Sequence, residues 1–149
     1  MTVLEPGPGM GFFTIELARR AGTSGRVIAV DIQPKMLSGL GRRAAKAGLG
    51  DRIEARLAAS DSMAIGDLRD KVDFVLAFAV VHEMPSDEKF FVETSEALKT
   101  GGTLLLAEPS GHVTAEAFAE ELTHAGSAGL EVVAHPAIRR SRSALLRKI

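Results

Sequence analysis

Short apolar runs recur along this chain, most of them followed by a segment with helical spacing, and that alternation leaves few folds open. Thr2–Leu4, Arg26–Asp31, Ile53–Leu57, Val72–Val81 and Thr103–Ala107 read as strands. Between them, Phe12–Ala21 carries apolar residues at i, i+4 and stops at Gly22. A second helix starts at Pro34 and stops at Gly48, a third runs from an N-cap at Ser86 to about Thr100, and Thr114–Ala125 makes a fourth. Strands separated by helical stretches imply βαβ units with right-handed crossovers and a parallel sheet covered on both faces. The near-continuous apolar runs Val27–Val30, Val72–Val81 and Thr103–Ala107 suit strands buried on both sides. Two last runs, Leu130–His135 and Ser143–Ile149, are joined by a stretch too short for a crossover, so they are expected to pair antiparallel at one edge. The expected fold class is α/β, a doubly wound sheet with an antiparallel hairpin edge.

Composition narrows the function. The 149 residues carry 18 Lys+Arg and 19 Asp+Glu, a net charge of −1, so no whole-domain field draws the chain to nucleic acid or to an acidic membrane. There is no cysteine, which removes disulfides, thiolate metal sites and a cysteine nucleophile and fits a cytoplasmic location. No apolar run approaches the ~20 residues of a membrane span. Seven Phe with no Tyr or Trp offer little for stacking bases. No repeat or linker divides the chain, and residues 1–149 read as one domain.

The strongest local signal is Glu5-Pro6-Gly7-Pro8-Gly9-Met10-Gly11, set between the first strand and the first helix. Glycines there permit a tight turn and close approach of a ligand to the backbone. Asp31 ends the second strand about 20 residues further on, where a carboxylate can accept hydrogen bonds from both hydroxyls of a ribose. Glycine turn plus distant acid reads as a nucleoside site. A dinucleotide fingerprint does not fit: counted from Gly7 its third glycine falls on Phe12, and from Gly9 on Thr14. No lysine of the phosphate-binding loop type follows either.

The stretch Val3–Gly11 resembles the first motif of class I S-adenosylmethionine-dependent methyltransferases, and Val27–Met36 is similar to their second-strand motif. The likeness continues through Asp61-Ser62, Asp73–Pro85 and Leu98–Thr103, and so covers essentially the whole chain. It implies a Rossmann-like seven-stranded sheet of order 3-2-1-4-5-7-6 with the last strand antiparallel. It also implies S-adenosylmethionine as cofactor. Gly7 and Gly9 would then pack on its methionine part, with Glu5 near its ammonium. Asp31 would hold the ribose, Ile32 the adenine face and Asp61 the adenine amino group, with Ser62 close by. Phe78 and Ala79 would wall the methionine end.

Two acids or bases at the sheet's carboxyl edge suit the chemistry of the acceptor. His82, just past the fourth strand, is a candidate general base with an ordinary pKa near 6.5; the alternative is a loop histidine that orders Glu83. Glu108, ending the fifth strand, is a second rim candidate or else a cap. His112, His124 and His135 show no metal-like grouping. The absence of cysteine excludes pyrimidine-C5 and cysteine-relayed arsenic methylation, and Ala79-Val80-Val81-His82 stands where amino-methylating nucleic-acid enzymes of this family carry a Pro-Pro-aromatic motif. The basic run Arg139, Arg140, Arg142, Arg147 and Lys148 reads as a solvated hairpin, with a nucleic-acid contact as its alternative. A small-molecule acceptor is the expectation. Relatives of this type carry helices ahead of the first strand, whereas this sequence begins on it. The sequence is then a shortened form, works with an open site, or is covered by another subunit, as in a homo-oligomer. The leading expectation is a methyltransferase; a non-catalytic cofactor-binding or interaction domain is the alternative, and a nicotinamide oxidoreductase is disfavoured by the glycine register.

Overall fold

The computed structural model describes residues 1–149. In chain order the elements are β1 (Thr2–Pro6), α1 (Phe12–Ala21), β2 (Arg26–Asp31), α2 (Pro34–Lys46), β3 (Ile53–Leu57), β4 (Val72–Phe78), α3 (Asp87–Ala97), β5 (Leu98–Pro109), α4 (Ala115–Ser127), β6 (Leu130–Ala134) and β7 (Ser141–Lys148). They form a seven-stranded sheet of order β3-β2-β1-β4-β5-β7-β6. The pairs from β3 to β5 are parallel, and β7 runs antiparallel to both β5 and β6. The expected doubly wound sheet and its antiparallel edge are both present.

The pleat sends alternate side chains to opposite faces, and the strand sequences use both. Val3 and Val27 sit side by side in the register and pack with Ala18 of α1 and Leu49 in a small cluster. Leu4 and Ile28, the next pair, belong to the large core with Val75, Leu104 and Leu146, completed by Phe91 of α3 and Phe118 of α4. Helix α3 is capped as its sequence predicts, Ser86 Oγ accepting from Lys89 N–H at 3.2 Å; Thr114, expected as the first residue of the fourth helix, is its cap instead, with Oγ1 accepting from Ala117 N–H at 3.1 Å.

Several boundaries differ from the sequence reading, and three of the differences have a tertiary reason. Helix α3 ends at Ala97 because Leu98 already pairs beside Val72. Strand β5 therefore runs through Gly101-Gly102, taking up the irregularity as a register shift between Val72 and Phe74. Strand β4 stops at Phe78, since Ala79 adopts φ 58° and the chain turns into a short 3-10 segment at Val81–Glu83. No helix is long and apolar enough to cross a membrane.

The strand order reverses direction at β1, so the loops after β1 and β4 leave opposite faces and open a crevice at their carboxyl ends. In open α/β sheets that crevice is where ligands bind.

Candidate functional site

A cavity of ≈ 490 Å³ occupies this crevice, within the range of a nucleoside-sized ligand. Its floor is the glycine turn. Gly7 has φ +65° and its N–H donates to Val30 O at 2.8 Å, so the turn is tied to β2. A Cβ on Gly7 would lie 2.5 Å from Val80 Cγ2, which means that only glycine lets the turn close against the loop after β4. Gly9 has φ +56° and open space where a Cβ would be. The backbone there is bare toward a ligand.

Asp31 stands on the wall at the tip of β2. Its Oδ1 accepts from Gln33 N–H at 2.9 Å, an Asx turn that fixes the carboxylate's orientation and leaves Oδ2 without a protein partner. Ile32 follows it at the mouth, 62% exposed. Asp61 and Ser62, in the loop after β3, also line the cavity. Asp61 is 80% exposed and pairs only loosely with Lys89, at 3.9 Å. Ser62 is engaged: its hydroxyl donates to Glu93 Oε2 at 2.9 Å and accepts from Ala64 N–H at 3.0 Å. Glu93 also accepts from Met63 N–H at 3.1 Å, so one helix carboxylate secures the whole loop.

The structure therefore brings Gly7, Gly9, Asp31, Ile32, Asp61 and Ser62 around one cavity, with Ala79 at its edge. Glu5 and Phe78 line a smaller recess of ≈ 190 Å³ that shares Pro6 and Gly7 with it. Phe13 packs on Phe78 there, ring centroids 4.9 Å apart, while Phe12 is 79% exposed beside them. Glu5 is buried and accepts a hydrogen bond from the Thr14 hydroxyl. Burial pushes its carboxyl up from 4.5 to about 7, against the smaller downward pull of that hydrogen bond.

His82 does not line the cavity. It lies in the 3-10 turn between Val80 and Glu83, which do, and its ring bonds to Glu108. Sequence reading missed Glu83, Lys89 and Glu93 as cavity residues. Acids and a lysine on or before a helix look like a solvated face; Glu83 and Lys89 are indeed exposed and border the cavity, while Glu93 of α3 is drawn in by its bond to Ser62, distant in sequence.

Electrostatically the lining is one-sided. Asp31, Asp61, Glu83 and Glu93 face it with Lys89 as the sole basic residue. Such a wall suits a cationic ligand and opposes a diphosphate, which would want arginine or lysine at the turn.

Residues 1–144 match the methyltransferase-domain family. The chain belongs to that family. The methyltransferase domain is 31% identical over 107 residues to an arsenite methyltransferase of Halobacterium salinarum; the match covers 72% of this chain and 27% of that protein. Among solved structures, it is similar to a SAM-dependent methyltransferase from Aquifex aeolicus, with TM-score 0.87, 23% identity, and coverage of 100% of this chain and 82% of the other. It is likewise similar to the PH0226 protein of Pyrococcus horikoshii, with TM-score 0.82, 13% identity and coverage of 99% and 82%. These structural likenesses fix the fold of the domain.

Proposed function

We propose that the domain binds S-adenosylmethionine in the crevice and transfers its methyl group to a small-molecule acceptor. The observation that carries this reading is the cavity itself: a bare glycine turn, a ribose-competent aspartate with a free oxygen, and four carboxylates facing one lysine. The residues fit the group. Gly7 and Gly9 would lie against its methionine part, Asp31 would take the ribose hydroxyls, and Ile32 would cover the adenine. Asp61, free of strong partners, would accept from the adenine amino group. Glu5 and Phe78 would stand at the amino-acid end. Ser62 holds the loop that carries Asp61.

When bound, the cofactor supplies a methyl group already activated on a sulfonium. The protein's share is then alignment in a desolvated crevice, where proximity carries most of the rate. An acceptor with an O–H or N–H group must also lose a proton. His82 is the proposed recipient: the proton passes to its ring nitrogen and the bonding pair stays on the acceptor's heteroatom. The acceptor of the arsenite methyltransferase relative is not carried over, because these residues hold no cysteine to bind arsenic.

Calorimetry with S-adenosylhomocysteine tests the cofactor site. Asp31→Ala is expected to weaken binding by ~1–3 kcal/mol, the scale of a lost charged hydrogen bond. Unchanged affinity, or equal stabilisation by NADH, would count against the reading. Methyl transfer to a panel of small hydroxyl and amine acceptors tests the activity, and its absence across the panel would favour a domain that binds the cofactor without catalysis.

A further inference from the structure

Behind the rim lies a buried acid pair that the proposed methyl transfer does not use directly. Glu108, at the carboxyl end of β5, is fully buried, and its Oε1 stands 3.0 Å from His82 Nδ1. It is held rigidly, since β5 pairs with β4 on one side and β7 on the other, with Glu108 opposite Arg142 in the register. Glu121 of α4 is buried beside it. The remaining oxygen of Glu108, Oε2, and Oε1 of Glu121 are buried without a hydrogen-bond partner.

We propose that Glu108, backed by Glu121, is a positioning residue that holds the neutral His82 ring as its Nδ1–H tautomer, and thereby keeps Nε2 unprotonated beside Glu83, the residue through which the ring borders the cavity. The inference rests on the reading of His82 as proton acceptor given above. Two buried carboxyls side by side do not both ionise. Glu108 is the member that faces an imidazole nitrogen, at 3.0 Å, while burial and the neighbouring Glu108 carboxyl push the Glu121 carboxyl upward, so the proton of the pair belongs on Glu121. Glu108 Oε1 then faces His82 Nδ1 as a hydrogen-bond acceptor. A neutral imidazole facing an acceptor at Nδ1 carries its hydrogen there, and its lone pair sits on Nε2.

The geometry gives that lone pair a direction. Nε2 lies 3.6 Å from Glu83 Oε1, and Glu83 lines the cavity. Once Nε2 takes a proton, both N–H groups of the imidazolium face a carboxylate, Glu108 on the buried side and Glu83 on the open side. The other titratable neighbours are His112, whose ring lies parallel at 6.2 Å between centroids, and Asp87 of α3, which acts on Glu121. A structural salt bridge alone would hold the ring in place without selecting a tautomer.

Long-range proton–nitrogen correlation spectra of the ¹⁵N-histidine-labelled chain read the tautomer of each histidine directly, with His82→Gln assigning the resonance. The expected result for His82 at alkaline pH is the Nδ1–H pattern. Glu108→Met, which removes the acceptor, should shift His82 toward the Nε2–H form that an unconstrained histidine side chain prefers. Glu108→Gln, whose carbonyl can still accept from Nδ1–H, should restore the wild-type pattern, and Glu121→Gln, neutral like the protonated acid, should keep it. An Nε2–H pattern in the wild-type chain overturns the proposal even if Glu108→Met does not fold, and so does a folded Glu108→Met with the tautomer unchanged. Binding of S-adenosylhomocysteine, measured on the same samples, is expected to be unaltered in Glu108→Gln. Its absence in the wild type would sink the cofactor reading and leave the tautomer result standing on its own.

Discussion

The hydroxyl of Thr14, in the first helix, donates to the buried carboxylate of Glu5, so the acid of the glycine-turn motif is held from the helix that the turn leads into. This single bond does not offset the loss of water around the carboxylate, whose pKa stands at about 7 against an ordinary 4.5. Between those two values the unfolded chain has released the proton that the folded chain retains. Stability is therefore expected to fall as pH rises through this window, by on the order of 3 kcal/mol from this group, and to level off above it. Glu5→Gln keeps an acceptor for Thr14 without the charge. Thermal unfolding as a function of pH should show the variant more stable than the wild type at pH 8 and nearly equal at pH 4.5. A difference independent of pH would contradict the assignment.

With the cofactor placed as proposed, the same acid is expected to make ligand affinity pH-dependent in the opposite sense. An ammonium group near Glu5 favours its ionised form, so S-adenosylhomocysteine should bind more tightly at pH 8 than at pH 6. Glu5→Gln should flatten that dependence. Isothermal titration at the two pH values checks it.

Two glycines of the turn separate packing from ligand approach. Gly7→Ala forces a methyl group to within 2.5 Å of Val80 Cγ2 and strains a φ of +65°, and Val80 packs against the main core and cannot move freely. Gly9→Ala strains a φ of +56° but meets nothing within 4 Å. The left-handed conformation alone costs roughly 1–2 kcal/mol for a residue with a Cβ. Denaturant unfolding should therefore show Gly7→Ala less stable than Gly9→Ala, and adding Val80→Ala should recover part of the deficit. Equal losses for the two variants would argue against the contact.

Glu93 anchors the loop after β3 through two hydrogen bonds, from Ser62 and from Met63 N–H. Met63 is also part of the main core, so loss of the anchor should be felt in stability as well as in the loop. Glu93→Ala is expected to destabilise the fold by ~1–3 kcal/mol, as for hydrogen bonds to a charged group. Hydrogen exchange should show faster opening at the Met63 amide and unchanged protection in β2. Uniform acceleration over the whole sheet would point to global loosening instead.

Much of this arrangement was legible from residues alone, because local chemistry and tertiary structure agree there. The apolar run Val27–Val30 becomes a strand buried on both faces, and the glycine turn and Asp31 fall on adjacent strand tips as their spacing implies. What escaped depends on contacts distant in sequence. Glu93 meets Ser62 across 31 positions, and Glu108 meets His82 across 26, with nothing local to announce either pairing. Ala79 takes a left-handed φ that its side chain gives no reason to expect. Gly101-Gly102, which in isolation reads as a break, lies inside β5 because β4 supplies its partner.

The contact between α3 and α4 carries the last pH effect. His124 Nδ1 lies 2.8 Å from Asp87 Oδ2, and that hydrogen bond holds the imidazole above its ordinary 6.5, against a smaller pull from desolvation. Glu88 and Glu120 add to the upward shift through their charge. For a base held above its unfolded value, the stabilisation is complete below about pH 6.5 and fades as pH rises through the folded value. The pair is partly exposed, so salt should screen it. Asp87 also occupies the first turn of α3, where its charge favours the helix dipole, and a single Asp87→Asn variant would mix the two effects. A double-mutant cycle with Asp87→Asn and His124→Gln isolates the pair. Its coupling should be present at pH 5.5, diminish toward pH 9 and shrink in high salt; a coupling constant across that range would mean that the contact is packing rather than charge.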